Sequence, residues 1–273
     1  HDALPIFDDI AQRLKEAGID EPRREARLLV RAVTGGDPLL GDVQHSDQLE
    51  RAITQRVSRV PLSKIIGKRE FYGRDFIVTK DVLDPRPDSE TLIDEALKIL
   101  PDDEPVSILD LGTGSGCLLL TLLAERPLSR GVAVDISEAA LSVARQNAQA
   151  LGLADRISFV HADFAAYEAA ALFDMVISNP PYIPSWEVDT LEPEVFNHDP
   201  RLALDGGTQG WEPYAVLFAR MRALLSPGSH FLVELSPDIC DKVHDLAIAA
   251  GHTEIVLIPD LAGRARVLSA RCG

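Results

Sequence analysis

A chain of 273 residues with 46% hydrophobic side chains is long enough for one large domain or two unequal ones. Its formal charge of −16 makes it a poor general binder of phosphate backbone. The excess is uneven: residues 1–80 carry 14 Lys/Arg and 13 Asp/Glu, and the remainder carries 13 and 30. Cys117, Cys240 and Cys272 are too few and too far apart for a disulfide framework, which fits a reducing compartment. No HExxH or CxxC occurs, so no metal is expected. No apolar run reaches the ~18 residues of a membrane span, and the opening HDALPIFDDI lacks the basic-then-apolar layout of a signal peptide. A cytoplasmic location without membrane contact is expected.

The first 60 residues predict a small helical domain. Ile6, Ile10, Leu14 and Ala17 recur at helical spacing before Gly18. A second helix opens on Pro22, carries Ala26, Leu29, Val30 and Val33, and closes on Gly35-Gly36. A third, SDQLERAITQRVSRV, turns Leu49, Ile53 and Val57 inward. Residues 61–83, aromatic and β-branched around Gly73, predict a hairpin that links this domain to a larger one spanning 84–273.

Strands and helices then alternate. VSILDLG, GVAVDIS, RISFVHAD and FDMVISN read as strands, with helices at CLLLTLLAERP and EAALSVARQNAQALG between them. Ser137 is placed to cap the second helix and Gly152 to end it. A helix near 212–225, the strand SHFLVEL, a helix near 238–250 and strands near 254–258 and 265–270 complete the pattern. Apolar strands alternating with helices predict an α/β fold: a mostly parallel sheet with helices on both faces. Ligands in such sheets sit beyond the carboxyl ends of the strands.

LDLGTGSG places Asp110, Gly112, Thr113, Gly114, Ser115 and Gly116 at the first strand-to-helix turn. Two nucleotides suit this position. A dinucleotide fingerprint needs GxGxxG, whose third glycine falls on Cys117; that cysteine is read as a small buried residue. The spacing here, GxGxG with an acid two residues before, resembles the loop of class I methyltransferases, which bind S-adenosylmethionine. The zwitterionic end of that cofactor suits an acid near its ammonium and helix amides near its carboxylate. Asp135 ends the second strand and is placed to accept both ribose hydroxyls; Asp163 ends the third and is placed for the adenine amino group, with Phe164 on the ring. Any one Asp at a strand end is ordinarily a cap or turn residue; three on successive strands beside a glycine loop point to a nucleoside.

SNPPY, Ser178 to Tyr182, follows the fourth strand and so shares the rim with the glycine loop. In isolation it is a rigid proline turn. Beside a methyl donor it is a catalytic candidate. A planar amide nitrogen is a weak nucleophile because its lone pair is delocalised. Acceptors for both its hydrogens hold it and favour a tetrahedral nitrogen; the Asn179 side-chain oxygen and the Pro180 carbonyl are those acceptors. Pro181 has no competing N–H, and Tyr182 is placed to lie against the planar substrate.

DLGTGSG and NPPY together resemble the amino-methyltransferases, which include protein glutamine and DNA adenine enzymes. DPRPDSETLIDEAL (84–97), HDPRLALDGGTQGWEPY (198–214) and DLAGRARVLSA (260–270) resemble segments of the PrmC/HemK family of release-factor glutamine methyltransferases. Ser89 replaces a usual threonine, and ELSPD (234–238) departs from that family's EIGxxQ. The resemblance covers the whole chain. It implies a class I methyltransferase fold, S-adenosylmethionine as cofactor with S-adenosylhomocysteine as product, and the glutamine of the GGQ motif in release factors as substrate. It implies Asn179, Pro180, Pro181, Tyr182 and Arg86 as the substrate side, with Asn179 also beside the cofactor. A monomer acting on a protein, and not on nucleic acid, is expected. A sibling family acting on a ribosomal protein is the nearest alternative; a DNA adenine enzyme, or a module that only binds the cofactor, is further off. Arg23, Arg24, Arg27 and Arg31 are either solvated helix faces or contacts for an acidic partner.

Overall fold

In the computed structural model, which describes residues 3–37 and 46–273, the chain divides into two units, 1–68 with 191–198 and 69–190 with 199–273. Residues 38–45 of the predicted helical domain lie outside the described residues.

The first unit packs α1 (Ala3–Glu16), α2 (Pro22–Thr34), α3 (Asp47–Val57) and α4 (Leu62–Ile66) around Leu14, Leu29, Leu49 and Ile53. The buried face of α1 is Phe7, Ile10, Ala11 and Leu14, rotated from the predicted one; Ile6 and Ala17 stay at its margin. Pro22 starts α2, and Gly35 ends it at φ +73°. The Ser46 hydroxyl caps α3 by accepting from Leu49 N at 3.2 Å. The predicted hairpin linker over 61–83 is shorter than expected: α4 occupies its first part, and the hairpin is β1 (Lys68–Phe71) and β2 (Arg74–Ile77) around Tyr72-Gly73.

Helix α9 (Pro193–His198) joins the first unit although its sequence lies far downstream. Arg56, 5% exposed, explains why. Its guanidinium holds Glu25 at 2.5 Å and Glu194 at 3.1 Å, and Arg59 takes the other oxygen of Glu194 at 2.7 Å. Two carboxylates around one buried guanidinium tie α2, α3 and α9 together.

The second unit contains a seven-stranded sheet in the order β5-β4-β3-β6-β7-β9-β8. Its strands are β3 (Ser107–Leu111), β4 (Arg130–Asp135), β5 (Ile157–His161), β6 (Phe173–Ser178), β7 (Leu225–Glu234), β8 (Thr253–Pro259) and β9 (Ala265–Arg271). The pairs from β5 to β7 are parallel, and β9 runs antiparallel to both neighbours. One apolar cluster, with Leu119, Ile93 and Phe76, covers one face; another, with Tyr214, Phe218 and Phe231, covers the other. The covering helices are α5 (Glu90–Ile99), α6 (Cys117–Glu125), α7 (Glu138–Ala150), α10 (Glu212–Leu224) and α11 (Cys240–Ala249). The short α8 (Ser185–Val188) lies between β6 and α9. Strands β3 and β6 are buried along most of their length and β4 along half of it, which is why they read as continuous apolar runs.

Removing one partner from a buried ion triad leaves uncompensated charge. Arg56→Met is therefore expected to destabilise the protein by on the order of 3 kcal/mol, read by urea unfolding; a change within the scatter of surface substitutions would show that Arg56 does not hold α9.

Candidate active site

The strand order reverses at β3, with β4 on one side and β6 on the other. Such a switch point opens a crevice at the carboxyl ends, and a cavity of about 360 Å³ lies there. The glycine loop forms its floor. Gly112, Gly114 and Gly116 have φ of +76°, +56° and +81°, a conformation that strains any residue with a Cβ. Gly112 N and Thr113 N both donate to Val134 O, at 2.9 and 3.0 Å. Buried Asn147 of α7 donates to Ser115 O at 2.9 Å and exchanges two hydrogen bonds with the Ile77 backbone. Loop, helix and hairpin are thereby one rigid support.

Gly112, Thr113, Gly114, Ser115, Asp135, Asp163 and Phe164 line the cavity, whereas Gly116 turns away from the wall to pack against Leu120 and Ala144. Asp135 is fixed on both oxygens: Oδ2 accepts from Gly114 N and Oδ1 from Ser137 N, each at 2.8 Å. Each oxygen keeps a lone pair for a ligand. Burial pushes the Asp135 carboxyl up, against those backbone donors. Asp163 Oδ1 accepts from Ala165 N at 2.8 Å.

Asp110 stands elsewhere than expected. It is fully buried and absent from the cavity wall, behind the loop, where Oδ2 accepts from the Thr113 hydroxyl at 2.6 Å. Its Oδ1 has no hydrogen-bond partner. Burial pushes its carboxyl up to about 7. Cys117 lines the cavity with part of its surface, and the rest of it packs against the core cluster behind. Burial pushes its thiol up to about 12, so it is no nucleophile at neutral pH.

The Asn-Pro-Pro-Tyr segment is braced from two sides. Ser178 donates through Oγ to Leu111 O at 2.6 Å, joining the start of this loop to the start of the glycine loop. Ile183 exchanges backbone bonds with Leu204 and Gly206 at 3.0 and 2.8 Å. A Cβ on Gly206 would lie 2.8 Å from Pro181 O, and one on Gly210 would overlap the Tyr182 carbonyl, so only glycine permits this packing. Asn179 and Pro181 face the cavity, whereas Pro180 is buried and Tyr182 is not part of the wall. The Tyr182 ring packs against the core behind the loop, and its hydroxyl donates to Glu234 Oε1 at 3.3 Å. A phenol held by a buried carboxylate braces the loop and is not free to lie on a substrate. Arg86 reaches the cavity, where Asp199, its carboxylate almost fully buried, holds it at 2.9 Å.

The wall decides between the two nucleotides that the loop admits. Asp81, Asp84, Asp135, Asp163 and Asp205 line it, and Arg86, already paired, is its one Lys or Arg. A pyrophosphate would meet five carboxylates with no unpaired Lys or Arg on the wall to offset them. A sulfonium with an ammonium finds a matching field, and the orphaned Asp110 Oδ1 lies just behind the loop. The residues thus fit S-adenosylmethionine. Among the described residues no cluster of His, Cys, Asp and Glu is arranged to hold a metal ion, and no helix is long and apolar enough to cross a membrane. Arg23, Arg24 and Arg27 are paired with Asp8, Glu21 and Asp37, as solvated helix faces are.

Sequence reasoning gave no role to Leu83, Ile136, Leu202 and Ala203, apolar wall residues, or to Ser89, which it noted only as a replacement within a family segment and which stands beside Asn179. It also missed α5, whose stripe of Leu92, Ile93 and Ala96 is short and follows a proline-rich stretch.

Two family models match the chain: a methyltransferase small domain over residues 88–207 and a PrmC N-terminal domain over residues 6–67. A release factor glutamine methyltransferase of Rhodospirillum rubrum is 44% identical over 97% of this chain and 84% of its own. That of Caulobacter vibrioides is 43% identical over 94% and 91%. Among solved structures, a methyltransferase from Pyrococcus furiosus superposes with a TM-score of 0.56 at 19% identity, covering 81% of this chain and 99% of that one, a likeness of fold.

The position of Asp110 has a consequence for stability. Its pKa is about 7 in the folded chain and about 4 unfolded. Its neutral form is therefore accommodated fully below pH ~4, and that contribution is lost as pH rises through 7. Ligand-free Asp110→Asn is expected to gain melting temperature relative to the parent between pH 4 and 8. A difference that stays constant across this range would show that Asp110 carries no buried proton.

Proposed function

Because the chain belongs to the release factor glutamine methyltransferase family, we propose that it methylates the side-chain amide nitrogen of the glutamine in the GGQ motif of peptide-chain release factors, with S-adenosylmethionine as donor and S-adenosylhomocysteine as product. The observation that carries this reading is the meeting, in one acidic cavity, of a left-handed glycine loop and a braced Asn-Pro-Pro-Tyr corner. The cofactor supplies an electrophilic methyl carbon. The chain supplies its grip: the Gly112–Gly116 backbone for the amino-acid end with Thr113, Ser115 and buried Asp110 around it, Asp135 for the ribose, and Asp163 with Phe164 for the base.

For the acceptor, Asn179 Oδ1 takes one hydrogen of the incoming carboxamide and the Pro180 carbonyl takes the other. With both hydrogens accepted, the nitrogen pyramidalises and its lone pair turns toward the methyl carbon. The prolines hold these oxygens in place before the reaction, so little reorganisation is needed. Once alkylated, the nitrogen is acidic and sheds one proton to water, so no dedicated base is required. Pro181 closes the wall without an N–H, Tyr182 braces the corner, and Arg86 is placed to meet the substrate backbone.

The acidic balance of the second unit supports a protein, not a nucleic acid, as substrate. Free Cys117, Cys240 and Cys272 support a reducing cytoplasm. We take the working form to be a monomer.

The direct test is transfer of labelled methyl to a GGQ-bearing release factor; label on a ribosomal protein or on DNA instead would overturn the substrate. In that assay Asn179→Ala is expected to lower kcat by about 100- to 1,000-fold with cofactor affinity retained. Asp135→Ala is expected to weaken S-adenosylmethionine binding by about ten- to a hundred-fold in calorimetry; unchanged affinity would remove Asp135 from the ribose site.

A further inference from the structure

The Asn179 carboxamide has two ends of similar shape and opposite chemistry. Its oxygen accepts hydrogens, and its nitrogen donates them. Only one orientation serves the proposed reaction, since Nδ2 toward the cavity would confront the substrate hydrogens with more hydrogens. Something must set the orientation, and the residues around Asn179 supply it.

Ser89 is 2% exposed, and its Oγ lies 3.5 Å from Asn179 Nδ2, which donates to it. The single turn that carries Ser89, Pro87–Ser89, is held in place from outside. Asp88 pairs with Arg266 at 3.0 Å and with Arg264 at 3.6 Å, and Arg86 pairs with Asp199. Ser89 N donates to Arg86 O at 3.0 Å, which closes the turn.

Glu234 stands on the other side. Strands β6 and β7 are parallel with Ser178 opposite Val233, so Asn179 leaves β6 beside Glu234, the last residue of β7. Glu234 is 1% exposed. The Tyr182 hydroxyl donates to its Oε1 and its Oε2 has no partner in hydrogen-bond geometry; burial pushes its carboxyl up, and the Ser89 hydroxyl, Arg266 and the Tyr182 hydroxyl oppose that by favouring its charge. The Tyr214 hydroxyl fixes the Glu234 backbone carbonyl at 2.7 Å. A carboxylate accepts only, and a serine hydroxyl has one proton with two lone pairs. When that proton turns to Glu234, Ser89 offers Asn179 only lone pairs. Nδ2 is the end that can meet them, and Oδ1 is left to face the cavity.

We infer that Ser89, oriented by Glu234, is a positioning residue for the reaction: it sets the carboxamide of Asn179 so that the oxygen points at the substrate nitrogen. The inference rests on the reading of Asn179 as the acceptor. Ser89 borders the cavity beside Asn179 and Glu234 does not; the role of both passes through Asn179.

The experiment compares Ser89→Ala, Ser89→Thr, Asn179→Ala and the Ser89→Ala/Asn179→Ala double variant of the full chain. It measures kcat on release factor, Kd for S-adenosylmethionine by calorimetry, and melting temperature. Ser89→Ala is expected to lower kcat about ten-fold, with cofactor Kd and melting temperature close to the parent. Ser89→Thr is expected to restore the rate, because it keeps the hydroxyl. In the double variant Ser89→Ala is expected to add nothing to Asn179→Ala, because its effect passes through that side chain. Should Ser89→Ala melt early, Ser89→Cys keeps the volume, weakens the hydrogen bond and reads the same split. Full activity in Asn179→Ala would sink the acceptor reading itself. A crippled Asn179→Ala beside a fully active Ser89→Ala would sink only the positioning role. A Ser89→Ala loss that multiplies with Asn179→Ala, or that appears equally in cofactor Kd, would reduce Ser89 to a packing residue.

Discussion

The pairing of β3 with β6 is the constraint on which the site depends. Each strand ends in a loop with its own chemistry, the glycine turn after β3 and the asparagine-proline corner after β6. Parallel register places both at one edge, and the Ser178 hydroxyl bonded to Leu111 O joins their first residues. With those strands apart, the glycine turn and the asparagine-proline corner would occupy different parts of the molecule. Hydrophobic burial on both faces makes the pairing hard to shift, since a one-residue slip would move Met175 and Ile177 out of one cluster and Val176 out of the other.

Around that edge the chain uses buried polar groups sparingly and holds each in place. Asp135 is gripped by two backbone donors, Asn147 by two backbone segments, and Asp199 by Arg86. Each such group would be costly if left unpaired, and paired it fixes the geometry of its neighbours. Two of the orphaned oxygens among the described residues, Asp110 Oδ1 and Glu234 Oε2, stand behind the glycine loop and the Asn-Pro-Pro-Tyr corner. Polar capacity left unused beside a cavity is where ligand or substrate binding can recruit further hydrogen bonds. The glycines at 206 and 210 serve the same end by a different means, letting backbone press against backbone so that the corner cannot yield.

What could be read along the chain was what local physics controls. Apolar runs marked β3, β4 and β6, the Ser137 cap marked a helix start, and Gly73 marked the hairpin turn. Helix α5 was hidden because its apolar stripe is only ten residues long and follows two prolines that argue against a helix. The short α4, α8 and α9 fall below the length at which a period can be recognised. Asp110 and Tyr182 were correctly tied to their loops by adjacency, yet adjacency says nothing of which way a side chain turns. Both turn inward, Asp110 to the Thr113 hydroxyl and Tyr182 to the Glu234 carboxylate.

By itself the sequence determined the alternating α/β order, the chemistry of the two rim loops and the family resemblance, because each is written in neighbouring residues. Only the tertiary structure decided that the cavity wall is acidic with one paired arginine, that α9 belongs with the first unit, and that Ser89 and Glu234 flank Asn179. These facts join residues far apart along the chain. They exist only once strand register and buried charge pairing have brought those residues together.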